Sequence, residues 1–406
     1  MRHYRVSRST LVSSIWCIAG AGLLAITACS APDSPSAFGS GKQATGTKDS
    51  SGTFGSGATT SDSAAASGAC VPDPSHYDIP GDGCDNDADG TADNAAPCDG
   101  ALANDGSAED FARSIGVCAT TSKNGYGLVS AKFTRGHGRD DAPMAQQHGV
   151  LAKFGNVLRP REGSRLGVLS TGYAQEYDGA PGVLFGGNQD GKDWFGARGG
   201  GGGGNGTAPP GFPKAAGNCP IATDVNDVID LRLELQAPKN ASGFKFDFNF
   251  HSGEWPAFIC SRFNDGFVAY LSAKGFNGGS ADNISFDAKK NPVSVNNGFF
   301  DRCTPGARIG CEATPGTSTC PGGAAELAGT GFGVVGTYCP GSQSVSGGAT
   351  GWLSSQAPVT PGETFTLELM IWDTGDGDLD SSVLLDNFQW IAGEVVTSTE
   401  RPTGPR

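Results

Sequence analysis

Residues 243–250 read GFKFDFNF. Phe244, Phe246, Phe248 and Phe250 take every second position, and Lys245, Asp247 and Asn249 fill the gaps. Successive side chains of a strand point to opposite faces, so this period of two puts four rings on one face and polar groups on the other. A helix would scatter the same rings around its axis. The stretch therefore predicts a half-buried antiparallel strand.

The pattern recurs along the chain. DLRLELQ (230–236) alternates Leu231, Leu233 and Leu235 with Arg232 and Glu234, and TFTLELMIW (364–372) alternates Phe365, Leu367, Leu369 and Ile371 with mostly polar partners. YGLVSAKFT (126–134), DGFVAYLS (265–272) and SSVLLDNFQW (381–390) add further strands. One stretch reads as helix, SAEDFARSIGVC (107–118). Ser107 is an N-cap, Glu109 and Asp110 are acids of the first turn, and Ala108, Phe111, Ala112 and Ile115 form one apolar face that Gly116 ends. Many strands, one short N-terminal helix and long Gly-rich loops predict an all-β protein, an antiparallel β-sandwich of jelly-roll type.

Composition bounds the partners. The chain has 406 residues, 64 of them Gly, only 17% charged, and a formal charge of -14. Such a surface repels nucleic acid and favours divalent cations. At the N-terminus the basic MRHYRVSR precedes the apolar LVSSIWCIAGAGLLAI, and Ile26-Thr27-Ala28-Cys29 resembles a bacterial lipobox. Residues 1–28 then read as a lipoprotein signal peptide and Cys29 as the acylated residue. That gives the chain a membrane partner through its lipid, and the resemblance to lipoprotein sorting signals implies the outer membrane, since Ser30 and not Asp follows Cys29. Residues 29–69, almost all Ser, Gly, Ala, Thr and Asp, cannot bury a core and read as a tether spanning about 35 Å r.m.s..

Twelve cysteines are present, and ten lie beyond Cys29. An even number in an exported chain, without any C-x-x-C pair, predicts disulfides rather than zinc. Local bridges are expected within Cys303–Cys339. A Cys84–Cys98 bridge would close the acidic loop between them. The expected organisation is an acidic, Cys-bracketed segment at 70–100, a sandwich domain at 101–395 and a frayed tail at 396–406. The Gly run at 199–204 lacks the Lys-Ser/Thr of a phosphate loop.

Two acidic stretches are candidate metal sites. In GCDNDADGTADN (83–94), Asp85, Asp87 and Asp89 take positions 1, 3 and 5 of a calcium loop, Gly90 position 6, the Thr91 carbonyl position 7 and Asp93 position 9. Position 12 is Ala96, so the bidentate Glu of an EF-hand is missing. The stretch looks more like the short calcium loops of thrombospondin type 3 and dockerin repeats, with Asp82 or Asn94 available to complete the shell. The alternative is a solvated Asx-rich turn. In DTGDGDLDS (373–381), Asp373, Asp376, Asp378 and Asp380 follow a strong strand and could hold a second calcium, tying a hairpin. The alternative is a polar turn.

Glu254, Trp255 and Asp265, in GEWPAFICSRFND (253–265), are candidate ligand-binding residues, and Glu254 and Asp265 could converge on the same end of the fold as the 373–380 acids. Glu254 with a partner carboxylate would also satisfy a glycoside hydrolase. No H-E-x-x-H zinc motif and no G-x-S-x-G nucleophile elbow is present, and a non-enzymatic protein is expected.

Several stretches resemble the choice-of-anchor L domain proteins: IPGDGCDNDADGTADN, DFARSIGVC, YGLVSAKFTRG, QHGVLAKFG, LGVLSTGYA, FDFNFHSGEWPAFICSRFNDGFVAYL and DTGDGDLDSSVLLDNFQW. The resemblance implies an exported β-rich surface domain shared among several anchoring devices, and no established catalysis. Where that family shows SEEYP, this chain has Ser252-Gly253-Glu254-Trp255-Pro256, with Gly in place of the first acid. The expected function is a calcium-stabilised, lipid-anchored surface protein that binds glycan or protein ligands on other cells or matrix. A secreted carbohydrate-active hydrolase and a structural envelope component are the alternatives.

Overall fold

The structure is a computed structural model that describes residues 70–94, 97–174, 206–311, 316–339 and 342–402. The signal, Cys29, the tether and the 199–204 Gly run lie outside the described residues.

Two antiparallel sheets face each other. The first runs, in spatial order, Gly127–Thr134, Val225–Gln236, Thr364–Thr374, Gly266–Ser272 and Asp282–Asn283, with Val293–Ser294 also paired to Gly266–Ser272. The second runs Ser398–Glu400, Leu353–Pro358, Gly243–Ser252, Ser381–Ile391, Leu166–Ser170 and His148–Leu151, with Gly348–Ala349 also paired to Gly243–Ser252.

The alternation seen in the sequence builds the interface between them. Phe244, Phe246, Phe248 and Phe250 are all buried and meet the Leu and Phe face of the first sheet. Phe248 lies 4.9 Å from Phe267 across the gap, and Phe244 stacks on Phe365 at 5.4 Å. Each buried ring contributes about 2–3 kcal/mol of transfer free energy. The helix forms as read, over Ala108–Ser114, with a capping box between Ser107 and Asp110. Its Phe111 seals the sandwich over Gly167, where a Cβ would come within 2.3 Å of the ring.

Three features depart from the sequence reading. The long strands do not form consecutive hairpins. Val225–Gln236, Gly243–Ser252 and Gly266–Ser272 alternate between sheets, as do Leu353–Pro358, Thr364–Thr374 and Ser381–Ile391. The 373–381 stretch is therefore a crossing between sheets and ties no hairpin. The polar face of Gly243–Ser252 is also not solvated: Asn249 and His251 are fully buried under a second apolar layer that includes Phe154, Leu327 and Phe332. And the expected frayed tail is ordered where Ser398–Glu400 pairs with Leu353–Pro358.

The disulfides correct the expected bracket. Cys84 bonds to Cys70 and Cys98 to Cys118, so the acidic loop is tied backward at one end and forward, to the chain just past the helix, at the other. Cys219–Cys260 links two connections, and Cys303–Cys320 is a local bridge in the Gly-rich insertion, as expected there.

Candidate functional site

The acidic loop folds by hydrogen bonding its own carboxylates to its backbone. Gly81 and Gly83 donate to the two oxygens of Asp93, at 2.8 and 3.2 Å. Asp89 and Gly90 donate to Asp85, at 3.1 and 3.0 Å. Thr91 donates its amide to Asp89 Oδ1 at 2.9 Å, and Asn94 Nδ2 donates to Asp89 Oδ2 at 2.6 Å. Asp89, Thr91 and Asp93 are exposed and serve to close the turn.

The residues brought together for a cation are different ones. Asp78, Asp85 and Asp87 each place one carboxylate oxygen within 4.8 Å of the others, the sole such trio among the described residues, and could hold a metal ion. Asp78 is buried and was missed by the spacing argument, because it precedes the 1-3-5 frame by seven residues. It enters because the chain folds back: Asn86 donates to Asp78 Oδ1 at 2.8 Å and Asn94 to Oδ2 at 3.2 Å. Burial, then the charge of Asp78, raises the Asp87 carboxyl above its usual range.

Beside this trio lies a cleft of about 270 Å³. Asp78, Asp87 and Asn94 line it together with Tyr77, Tyr126 and Trp390. Burial pushes both phenols up to about 12, with Asp87 and Asp78 adding to the effect on Tyr126, so both keep their protons as donors. Two cross-contacts hold the segment on the sandwich: Tyr77 N–H donates to Asn240 Oδ1 at 3.0 Å, and Asn240 Nδ2 donates back to the Tyr77 carbonyl at 2.8 Å.

The second acidic stretch gathers into a buried corner where chain crosses between the sheets. Asp373 and Asp380 are buried, Asp376 is half-buried, and Asp378 is exposed, its amide donating to Asp376 Oδ1 at 3.3 Å. Glu254 and Asp265 arrive at the same corner from the other strands and are buried as well. Asp265 holds both ends of the crossing: Thr374 N–H donates to its Oδ1 at 3.0 Å and Ser381 Oγ to its Oδ2 at 2.7 Å. Gly253 N–H donates to the Asp380 carbonyl at 3.0 Å. Burial pushes Asp265 up to about 7. Burial, then the charge of Asp265, holds Glu254 and Asp373 well above the usual carboxylate range.

Trp255 does not offer a face to a sugar. It is 5% exposed and stacks on Phe300 at 5.8 Å, in a small core with Val295 and the Cys303–Cys320 bridge. A hydrolase substrate would have to reach Glu254 and Asp265 at 2% and 0% exposure.

Two antiparallel sheets, several disulfides and acidic loops at their connections define a disulfide-stapled β-sandwich domain of the kind suited to an oxidising exterior. Within it, residues 221–389 match the family model of the Choice-of-anchor L domain. That span holds the buried corner and most long strands. The acidic loop, the helix and the strands Gly127–Thr134, His148–Leu151 and Leu166–Ser170 precede it. Comparison with curated proteins and with solved structures returned no match.

Proposed function

We propose that the chain is an exported, lipid-anchored surface protein whose acidic loop binds calcium and whose neighbouring cleft binds a glycan or protein ligand on other cells or matrix. Cys29 carries the lipid, the 30–69 stretch gives reach, and the sandwich carries the binding face. One observation carries this reading: the carboxylates of Asp78 and Asp87 share a cleft with Tyr77, Tyr126 and Trp390. A polyhydroxyl ligand needs both kinds of side chain, acceptors or a bridging cation for its hydroxyls and aromatic faces for its C–H surface. Calcium fits the all-oxygen trio, since it takes six to eight oxygens in adaptable geometry.

The test is binding of the purified protein to a glycan array, with and without chelator. Asp87→Asn and Trp390→Ala should each abolish chelator-sensitive binding while far-UV circular dichroism stays unchanged. Binding that survives both substitutions would place the ligand elsewhere. Cys29→Ser should move the protein from the membrane fraction to the soluble one, and retention on the membrane would overturn the lipid anchor.

A further inference from the structure

The corner between the sheets is chemically unfinished. Asp373 is 1% exposed, and it lies beside Thr171 and Asp265, yet neither of its oxygens has a hydrogen bond of normal geometry. Glu254 is 2% exposed, and its Oε2 has no partner either. Among the described residues no Lys or Arg forms an ion pair with Glu254, Asp265 or Asp373. The charges these groups face are one another's: Glu254 faces Asp265 and Asp376, and Asp373 faces Asp265, Asp380 and Asp227. Buried carboxylates of this kind are normally paired or bound to a metal.

We propose that this corner binds a hard divalent cation of the calcium class, with Asp265, Asp373 and Glu254 as carboxylate ligands. The donors at the corner are oxygens, which select calcium or magnesium over softer metals. The hydroxyls of Thr171 and Ser381 stand at the same place, Thr171 Oγ1 accepting from the Ser381 amide at 2.9 Å. The corner is looser than the acidic loop, where three carboxylates already approach within 4.8 Å. Calcium tolerates irregular shells and gathers flexible carboxylates, whereas magnesium demands a near-ideal octahedron. A way in exists. Asp376 and Asn226 line a surface cleft of about 490 Å³, and Asn226 is the strand partner of Asp373. The bound ion would join Asp373 at the end of one sheet to Glu254 beyond the end of a strand in the other.

This site stands apart from the acidic loop, and the test keeps the two separate. The probes are calcium content by mass spectrometry after exchange into metal-free buffer with calcium restored, and terbium luminescence excited through Trp372, the neighbour of Asp373. In an Asp87→Asn background, which silences the loop, the protein should retain about one calcium ion per chain. Adding Asp373→Asn should remove that ion and weaken terbium binding about tenfold or more. Glu254→Gln should weaken it in the same direction and decides the matter if the Asp373 variant does not fold. The proposal is overturned if the folded Asp87→Asn protein takes up no calcium, or if Asp373→Asn and Glu254→Gln both leave its uptake unchanged. Loss of glycan binding in Asp87→Asn alone bears on the loop and not on the corner.

Discussion

The acidic loop and the buried corner are made of the same residue types and solve the same problem differently. The loop gathers its acids within a few turns of chain and hands most of their oxygens to its own amides. The corner gathers acids more than a hundred residues apart and leaves both carboxylate oxygens of Asp373 without a hydrogen bond of normal geometry. The loop is half open to water, which screens repulsion, and the corner is not. Acidic spacing in a sequence is therefore a guide to the first kind of site and a poor guide to the second, whose parts are brought together by strands that alternate between sheets.

The largest expected effect strikes what assembles the corner. Phe248→Ala removes a fully buried ring that spans the sheets and should cost about 3–5 kcal/mol in urea unfolding. A loss below about 1 kcal/mol would show that inter-sheet packing does not hold the corner. Next, replacing Cys70 and Cys84 by Ala frees a 14-residue closure worth about 3 kcal/mol in the chain-entropy account. The effect should be local: faster hydrogen exchange at Gly81 and Gly83, with the urea midpoint of the sandwich moved less than by Phe248→Ala. An equal shift in both would mean that loop and corner unfold as one unit.

A pH titration gives the third. Asp386 lies on the second sheet, its carboxylate accepting from the amides of Arg161, Glu162 and Asn387. Burial outweighs those bonds and pushes it up to about 7. The folded state then holds a proton that the unfolded chain, near its ordinary value of 3.8, has lost. Its stabilisation is complete below about pH 4 and fades as pH rises through 7, at up to about 1.4 kcal/mol per pH unit. Thermal melts of the wild type should show that slope, and Asp386→Asn should flatten it. The smallest effect belongs to the helix between the two regions: Ser107→Ala deletes the cap to the Asp110 amide and should cost about 1 kcal/mol by urea melt.

What could be read in advance was what depends on near neighbours. The Phe244–Phe250 alternation and the Ser107 cap are local rules, and both appear as read. The trio at the loop was half legible: Asp85 and Asp87 obey the spacing, but Asp78 joins through a backbone fold no periodicity encodes. Glu254 and Asp265 do meet Asp373 and Asp380, because the strands carrying them end at one corner. Asp378 was drawn in by composition alone and faces solvent. Trp255 was a ligand-binding candidate because an aromatic beside an acid can line either a binding site or a core until its neighbours are known, and its neighbour is Phe300. The Cys84–Cys98 bracket failed for the same reason, since proximity in the chain does not say which sulfurs face each other. TSTERPTGPR, rich in Pro and polar residues, gave no hint of an edge strand.

That edge strand has a consequence for crowding. An open sheet edge is a template on which a second chain can add itself, and extended growth by such addition is how β proteins aggregate. Here the rim beside Leu353–Pro358 is occupied by only three residues, Ser398–Glu400. Arg401 then turns away to donate to the Thr350 and Phe299 carbonyls, and Pro402 follows with no amide hydrogen to offer. The sheet is finished by a short polar hem that presents little for another copy to copy.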